Sequence, residues 1–189
     1  MGEVPAGQAL LRSAAQVGDD IYVSGHLGDA RLALEARLGH LQLPAGVLAF
    51  CAERLDMPTP RVALGIALRG IAHACTDISD GLLGDLSHIL KASQVGAELN
   101  VTAIRDLCVS AQSVALSADI LNTCTLAGGD DYELVFTAPA QTRDAIAHAA
   151  LESQTPVTRI GTITASGIVL RDHEQLLDAA SFSSFDHFA

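Results

Sequence analysis

Tryptophan is absent from this chain, and aromatic residues make up only 4% of it. A core must therefore be assembled from Ala, Leu, Val and Ile. Basic residues are also scarce: 11 Lys and Arg stand against 22 Asp and Glu, for a formal net charge of −11. Such a surface repels phosphate backbones, so nucleic acid and an anionic membrane are excluded as main partners. A phosphorylated small molecule stays compatible, because bound metal ions supply positive charge locally. None of the four cysteines (Cys51, Cys75, Cys108, Cys124) forms a C-x-x-C pair or sits at ligand spacing from a histidine. They read as buried, reduced thiols of a cytoplasmic protein. Residues 1–5 carry neither a basic segment nor an apolar one, so no signal peptide is expected. Charge or glycine interrupts every apolar run well short of a membrane span.

What is present is ample apolar material: 49% hydrophobic against 17% charged in 189 residues. That suits one domain of ordinary size. Residues 1–20 read as a lead-in and 21–189 as the domain. Strands are expected at 21–24, 72–78, 97–101, 134–137, 157–160 and 167–170, with Gly161 and Gly167 as turns. Helices are expected from a cap at Asp29 through Leu38, at 44–55, 61–71, 104–116, 118–123 and 142–151. Another begins at Leu82, where Leu82, Leu83, Leu86, Ile89 and Leu90 recur at helical spacing. The expected fold class is α+β, a small mixed sheet covered by helices.

Two acidic, glycine-bearing segments stand out: Thr76-Asp77-Ile78-Ser79-Asp80-Gly81 and Gly128-Gly129-Asp130-Asp131-Tyr132-Glu133. Mg²⁺ prefers oxygen ligands and is usually held by one or two carboxylates with substrate phosphates and water. The first segment sits at a strand-to-helix junction, where outward-pointing amides suit a phosphate or a carboxylate. Asp77 and Asp80 could hold a metal and Ser79 could meet a phosphate. Ser79 or Asp80 could equally be a helix cap and Asp77 a surface residue. In the second segment three acids within four residues are costly to crowd unless solvated or neutralised by a cation. A solvated turn accounts for it as well as a binding role does. Gly25-His26-Leu27-Gly28-Asp29 is glycine-rich but lacks the lysine of a P-loop, so it reads first as a structural turn.

Together with Arg12-Ser13-Ala14, Ile21-Tyr22-Val23-Ser24-Gly25, Pro60-Arg61-Val62 and the ending Phe185-Asp186-His187-Phe188, these segments closely resemble the thiamine-monophosphate kinase family. The stretch Asp77-Ile78-Ser79-Asp80-Gly81-Leu82 sets that family apart from others of the aminoimidazole ribonucleotide synthetase-like superfamily. The resemblance implies transfer of the γ-phosphate of ATP to thiamine monophosphate, with Mg²⁺. It implies Asp77 and Asp80 as metal ligands, Arg12 and Ser79 as ATP contacts, and Asp130 and Phe185 as substrate contacts. Asp130 stands where the family more often has Glu, one methylene longer. Members are about twice one domain in size, with an N-terminal α/β domain that carries most of the metal-binding aspartates and builds a homodimer. The chain is therefore read as the C-terminal domain of a kinase, expected to be silent without the other half. A non-catalytic domain that binds a ligand or a partner is the alternative, and a kinase for a related phosphorylated heterocycle is a third reading.

Overall fold

The structure, a computed structural model, describes residues 3–182. Seven strands form one sheet: β1 (Asp20–Ser24), β2 (Ala74–Ile78), β3 (Gly96–Asn100), β4 (Glu133–Ala138), β5 (Val157–Thr164), β6 (Ile168–Asp172) and β7 (Gln175–Leu177). Their spatial order is β2-β4-β1-β5-β3-β6-β7. Neighbours run antiparallel except β3 and β6, which are parallel. The sheet is mixed, as expected, and larger than the pattern suggested. β7, only three residues long, is too short to announce itself.

Seven helices pack around it: α1 (Asp29–Arg37), α2 (Ala45–Asp56), α3 (Val62–Ala67), α4 (Leu82–Ser93), α5 (Val101–Arg105), α6 (Ala118–Leu126) and α7 (Arg143–Glu152). Strand alternation sends side chains to opposite faces. Ile21, Val23 and Val135 meet Leu82, Leu86 and Ile89 of α4 on one face. Tyr22 and Phe136 point the other way, onto Leu64 and Leu68 beside α3 and onto Ile146 and Ala149 of α7. The two aromatic rings stack at 5.2 Å, nearly parallel. A third cluster, between α1, α2 and α6, holds Leu32, Ala33, Cys51, Cys108 and Cys124. All four cysteines are free thiols.

Three local expectations are corrected. Asp29 does not cap α1; the cap is Gly28, and Asp29 lies within the first turn, buried. Its carboxylate accepts the Ser110 amide at 3.0 Å and the Val109 amide at 3.3 Å. Those bonds also explain why 104–116 is not one helix. Val101–Arg105 is helical, capped by Asn100, but Asp29 then takes the amides that a continuing helix would need, and only a short 3₁₀ turn follows. Gly161 is not a turn; it lies within β5, paired with Ile21 and Leu99. Among the described residues no helix is long and apolar enough to cross a membrane.

Candidate functional site

The two acidic segments meet. β2 pairs with β4, so Asp77 lies opposite Leu134 and Ile78 opposite Glu133. Beyond the strands the contact continues through backbone: the Tyr132 amide donates to the Ile78 carbonyl, and the Asp130 amide to the Ser79 carbonyl, each at 2.9 Å. Glycine makes the approach close enough. Gly81, at φ 116° and ψ 149°, caps α4, and a Cβ there would lie 2.8 Å from the Ala127 carbonyl. A Cβ on Gly129 would lie 2.4 Å from the Ser79 carbonyl oxygen. The turn carries backbone strain as well: Asp130 (φ 69°) and Tyr132 (φ 51°) both adopt the left-handed region, uncommon for residues with a Cβ.

The acids of these loops divide into two sets. Asp77 is exposed, and Asp80 and Asp130 are half-buried. Asp85, Asp131 and Glu133 are buried. Glu133 Oε1 accepts Arg54 Nη2 at 2.8 Å and Arg61 Nη2 at 2.6 Å; Oε2 accepts Arg61 Nε at 2.6 Å and the Ser24 hydroxyl at 2.7 Å. Asp131 accepts the Gly28 amide at 2.9 Å through Oδ2, while Oδ1 has no hydrogen-bond partner among the described residues. Burial pushes Asp131 well above the usual carboxylate range; the Gly28 bond opposes this and the charge of Asp29 adds to it. Crowding of three acids is thus relieved at Glu133 by two arginines, while burial shifts Asp131 toward its neutral form. The glycine-rich 25–29 loop is the partner that Asp131 holds.

Of the residues expected to carry function, Arg12 and Asp77 are linked through Thr76. Arg12 Nε donates to Thr76 Oγ1 at 3.1 Å, and the Thr76 hydroxyl donates to Asp77 Oδ1 at 3.4 Å. Arg12 reaches the edge of β2 because Leu11 bridges Ala74 there. Ser79 and Asp80 follow on the same loop, and Asp130 is bonded to Ser79 through backbone. Ser79 and Asp80 are not the cap of α4, which is Gly81 and has no side-chain bond. Phe185, with the rest of the 185–188 ending, lies outside the described residues.

Asp77 also borders a groove of about 470 Å³ with Arg61, Val62, Tyr132 and Leu134, mostly apolar and open at one side. A larger concavity of about 620 Å³ lies over β3, β5 and β6. Its arginines are already matched, Arg171 to Glu98 and Arg159 to Asp20, and no expected site residue lines it. Among the described residues no group of three or more His, Cys, Asp and Glu side chains could hold a metal ion by itself. The donors available at the β2–α4 corner are carboxylate oxygens, one or two at a time. That set fits Mg²⁺ shared with a phosphate ligand and water, and does not fit a closed all-protein cage.

Asp131 and Glu133 stood in the second acidic segment without a role of their own, as did Asp85 beyond the first, and one signal for Glu133 was available. Glu133 lies two residues before Val135 in a period-2 strand, so it faces the same interior.

Comparison with known proteins finds relatives of the whole chain. Residues 16–173 match the family model described as AIR synthase related protein, C-terminal domain. The thiamine-monophosphate kinase of Escherichia coli O157:H7 is 39% identical over 196 residues, covering 100% of this chain and 58% of that protein. The chain thus spans well under two thirds of the length of the curated relatives it matches. The crystal structure of thiamine-monophosphate kinase from Stenotrophomonas maltophilia superposes with a TM-score of 0.80 at 43% identity, over 91% of this chain and 56% of that one. AaThiL, solved as a complex with AMPPCP and TMP, gives a TM-score of 0.71 at 25% identity, over 95% of this chain and 54% of that one. With most of its length matched by the family model and its sheet and helices reproduced in these relatives, the chain belongs to the AIR synthase related proteins, as their C-terminal domain.

Proposed function

We propose that this chain is the C-terminal half of an ATP- and Mg²⁺-dependent cytoplasmic kinase that phosphorylates thiamine monophosphate to thiamine diphosphate. The observation that carries the reading is the joining of two acidic loops by the Ser79–Asp130 and Ile78–Tyr132 backbone bonds. Similarity to thiamine-monophosphate kinases along essentially the whole chain supports it. In this reading Asp77 and Asp80 hold Mg²⁺, Arg12 and Ser79 contact ATP, and Asp130 and Phe185 contact thiamine monophosphate. Residues 1–20 lead in from a preceding domain, supplied in cis or in trans, which brings further ligands and a homodimer interface.

The chemistry asks for positioning more than for covalent help. Bound Mg²⁺ supplies charge neutralisation to phosphate oxygens. The chain's own part is to hold donors in place: Thr76 steadies Asp77 and takes the Arg12 guanidinium, while the 129–132 turn clamps the Ser79 carbonyl. Because only two metal-ligating residues of this reading lie in the chain, in-line placement of donor and acceptor is incomplete without the other half.

The test is an assay for thiamine diphosphate with ATP, Mg²⁺ and thiamine monophosphate. The chain is assayed alone and mixed with the N-terminal half of a related thiamine-monophosphate kinase. Product is expected only in the mixture, and Asp77→Asn or Asp80→Asn abolishes it. Turnover by the chain alone at an enzymatic rate, on the order of 1 s⁻¹, contradicts the half-enzyme reading. An active mixture indifferent to both substitutions contradicts the site.

A further inference from the structure

Asp85 lies in the first turn of α4, buried, and its Oδ2 accepts two amides at once: Ser79 at 2.9 Å and Asp80 at 3.0 Å. These are the amides that a strand-to-helix junction offers to an incoming phosphate. Here a carboxylate of the same helix already occupies them. On the other side of the loop the Asp130 and Tyr132 amides bind the Ser79 and Ile78 carbonyls. The Ser79 backbone is therefore satisfied in both directions by the protein itself.

The geometry points to Asp85 as the positioning residue of this loop. It is a buried carboxylate that reaches back from the first turn of α4, fixes the backbone between Asp77 and Gly81, and denies the Ser79 and Asp80 amides to phosphate. This rests on the metal–phosphate site proposed above and adds to it a route. Phosphate is met through side chains, the Ser79 hydroxyl and a cation held by Asp77 and Asp80, and not through the loop amides. The role belongs to the acceptor oxygen more than to its charge. One oxygen makes both bonds, and an amide oxygen in its place can do the same. The carboxylate stays buried at a cost: burial raises its proton affinity, the two amide bonds oppose that, and the charges of Asp80 and Asp77 add to it. Loss of a hydrogen bond to a charged group exposes that cost in full.

The test compares wild type, Asp85→Asn and Asp85→Ala as ¹⁵N-labelled chains, with Mn²⁺ as the metal probe and inorganic phosphate as the anion probe. In wild type the Ser79 and Asp80 amides exchange slowly, Mn²⁺ broadens resonances around residues 77–80, and phosphate leaves the two amides unmoved. Asp85→Asn keeps all three properties. In Asp85→Ala the two amides exchange about tenfold faster or more, the expected consequence of losing one such bond. Mn²⁺ binding weakens by a similar factor, and phosphate now shifts the freed amides. Retained protection and metal affinity in Asp85→Ala, or phosphate shifts at these amides in wild type, overturn the inference. Should Asp85→Ala not fold, Asp85→Asn decides: a folded Asn variant that has lost amide protection overturns it, and one that keeps protection supports it. Absence of Mn²⁺ broadening in every chain counts against the metal site and not against Asp85, whose role the exchange rates still decide.

Discussion

Replacing Glu133 by Gln preserves shape and removes one charge, and its cost can be worked from the contacts. Glu133 is 1% exposed, and its arginine partners are also largely buried, Arg54 at 16% and Arg61 at 12%. Oε1 receives Arg54, Arg61 and a longer bond of 3.4 Å from the His26 amide; Oε2 receives Arg61 and Ser24. Every donor points at an oxygen. A glutamine must put its NH₂ group on one side or the other, so a donor faces a donor whichever way it turns. Two arginines also lose their buried counter-charge. Breaking a buried pair by removing one partner costs about 3–5 kcal/mol, a large part of the roughly 5–15 kcal/mol that stabilises a typical domain. Urea unfolding followed by far-ultraviolet circular dichroism is expected to show that loss, and a thermal midpoint lower by roughly 6–20 °C for a chain of this size. Adding Arg61→Met to Glu133→Gln is expected to cost less than the two single losses combined, because the second change removes a charge the first left stranded. A loss below about 1 kcal/mol for Glu133→Gln, within the range of an exposed pair, would refute the view of Glu133 as the joint between β4, the 25–29 loop and the segment after α2.

Asp131→Asn gives a pH signature. The native carboxyl, raised by burial, holds its proton where the unfolded chain has released it. Stability therefore falls as pH rises from the ordinary carboxylate value of about 3.9 to the raised native one, and is flat outside that window. Urea midpoints from acid to neutral pH should fall less steeply for the variant, which is expected to be at least as stable as wild type at neutral pH; parallel curves contradict this. Gly81→Ala puts a methyl group against the Ala127 carbonyl at a backbone conformation open almost only to glycine. A loss of roughly 1–3 kcal/mol is expected, together with weaker Mn²⁺ broadening at residues 77–80, and an unchanged urea midpoint would rule the contact unimportant.

Much of this architecture could be read before any coordinates. The apolar spacing from Leu82 to Leu90 located α4, and the run Leu134-Val135-Phe136-Thr137 before Pro139 located β4. The junction at Asp77–Gly81 followed from the strand expected at 72–78 and the helix expected from Leu82. What could not be read was which acids face inward. Asp130, Asp131 and Glu133 are chemically alike in a linear string. Only tertiary partners more than 70 positions away, Arg54 and Arg61 for Glu133 and Gly28 for Asp131, separate an interior acid from a ligand-facing one. Asp85 hid for a related reason: an acid in the first turn of a helix is favoured by the helix dipole alone, so its residue type there does not announce a buried partner. The failed helix at 104–116 belongs here too. Its local pattern was helical, and a buried carboxylate from α1 overrode it.

The central place of β1 bears on how this chain is made. β1 is the first strand of this sheet in chain order, yet both of its neighbours come late. Ser24 finds Glu133 109 positions onward, and β5 ends at Thr164. At a synthesis rate of roughly 5–20 residues per second, β1 emerges some 5–20 s before the strand that first covers its edge. During that interval Ile21, Tyr22 and Val23 form an apolar strand with two open edges, the kind of segment that pairs with other chains when nothing native is available. Folding of the sheet is thus gated by the arrival of the 133–164 region. Any break in the chain before that point leaves β1 without either of its neighbours in the sheet.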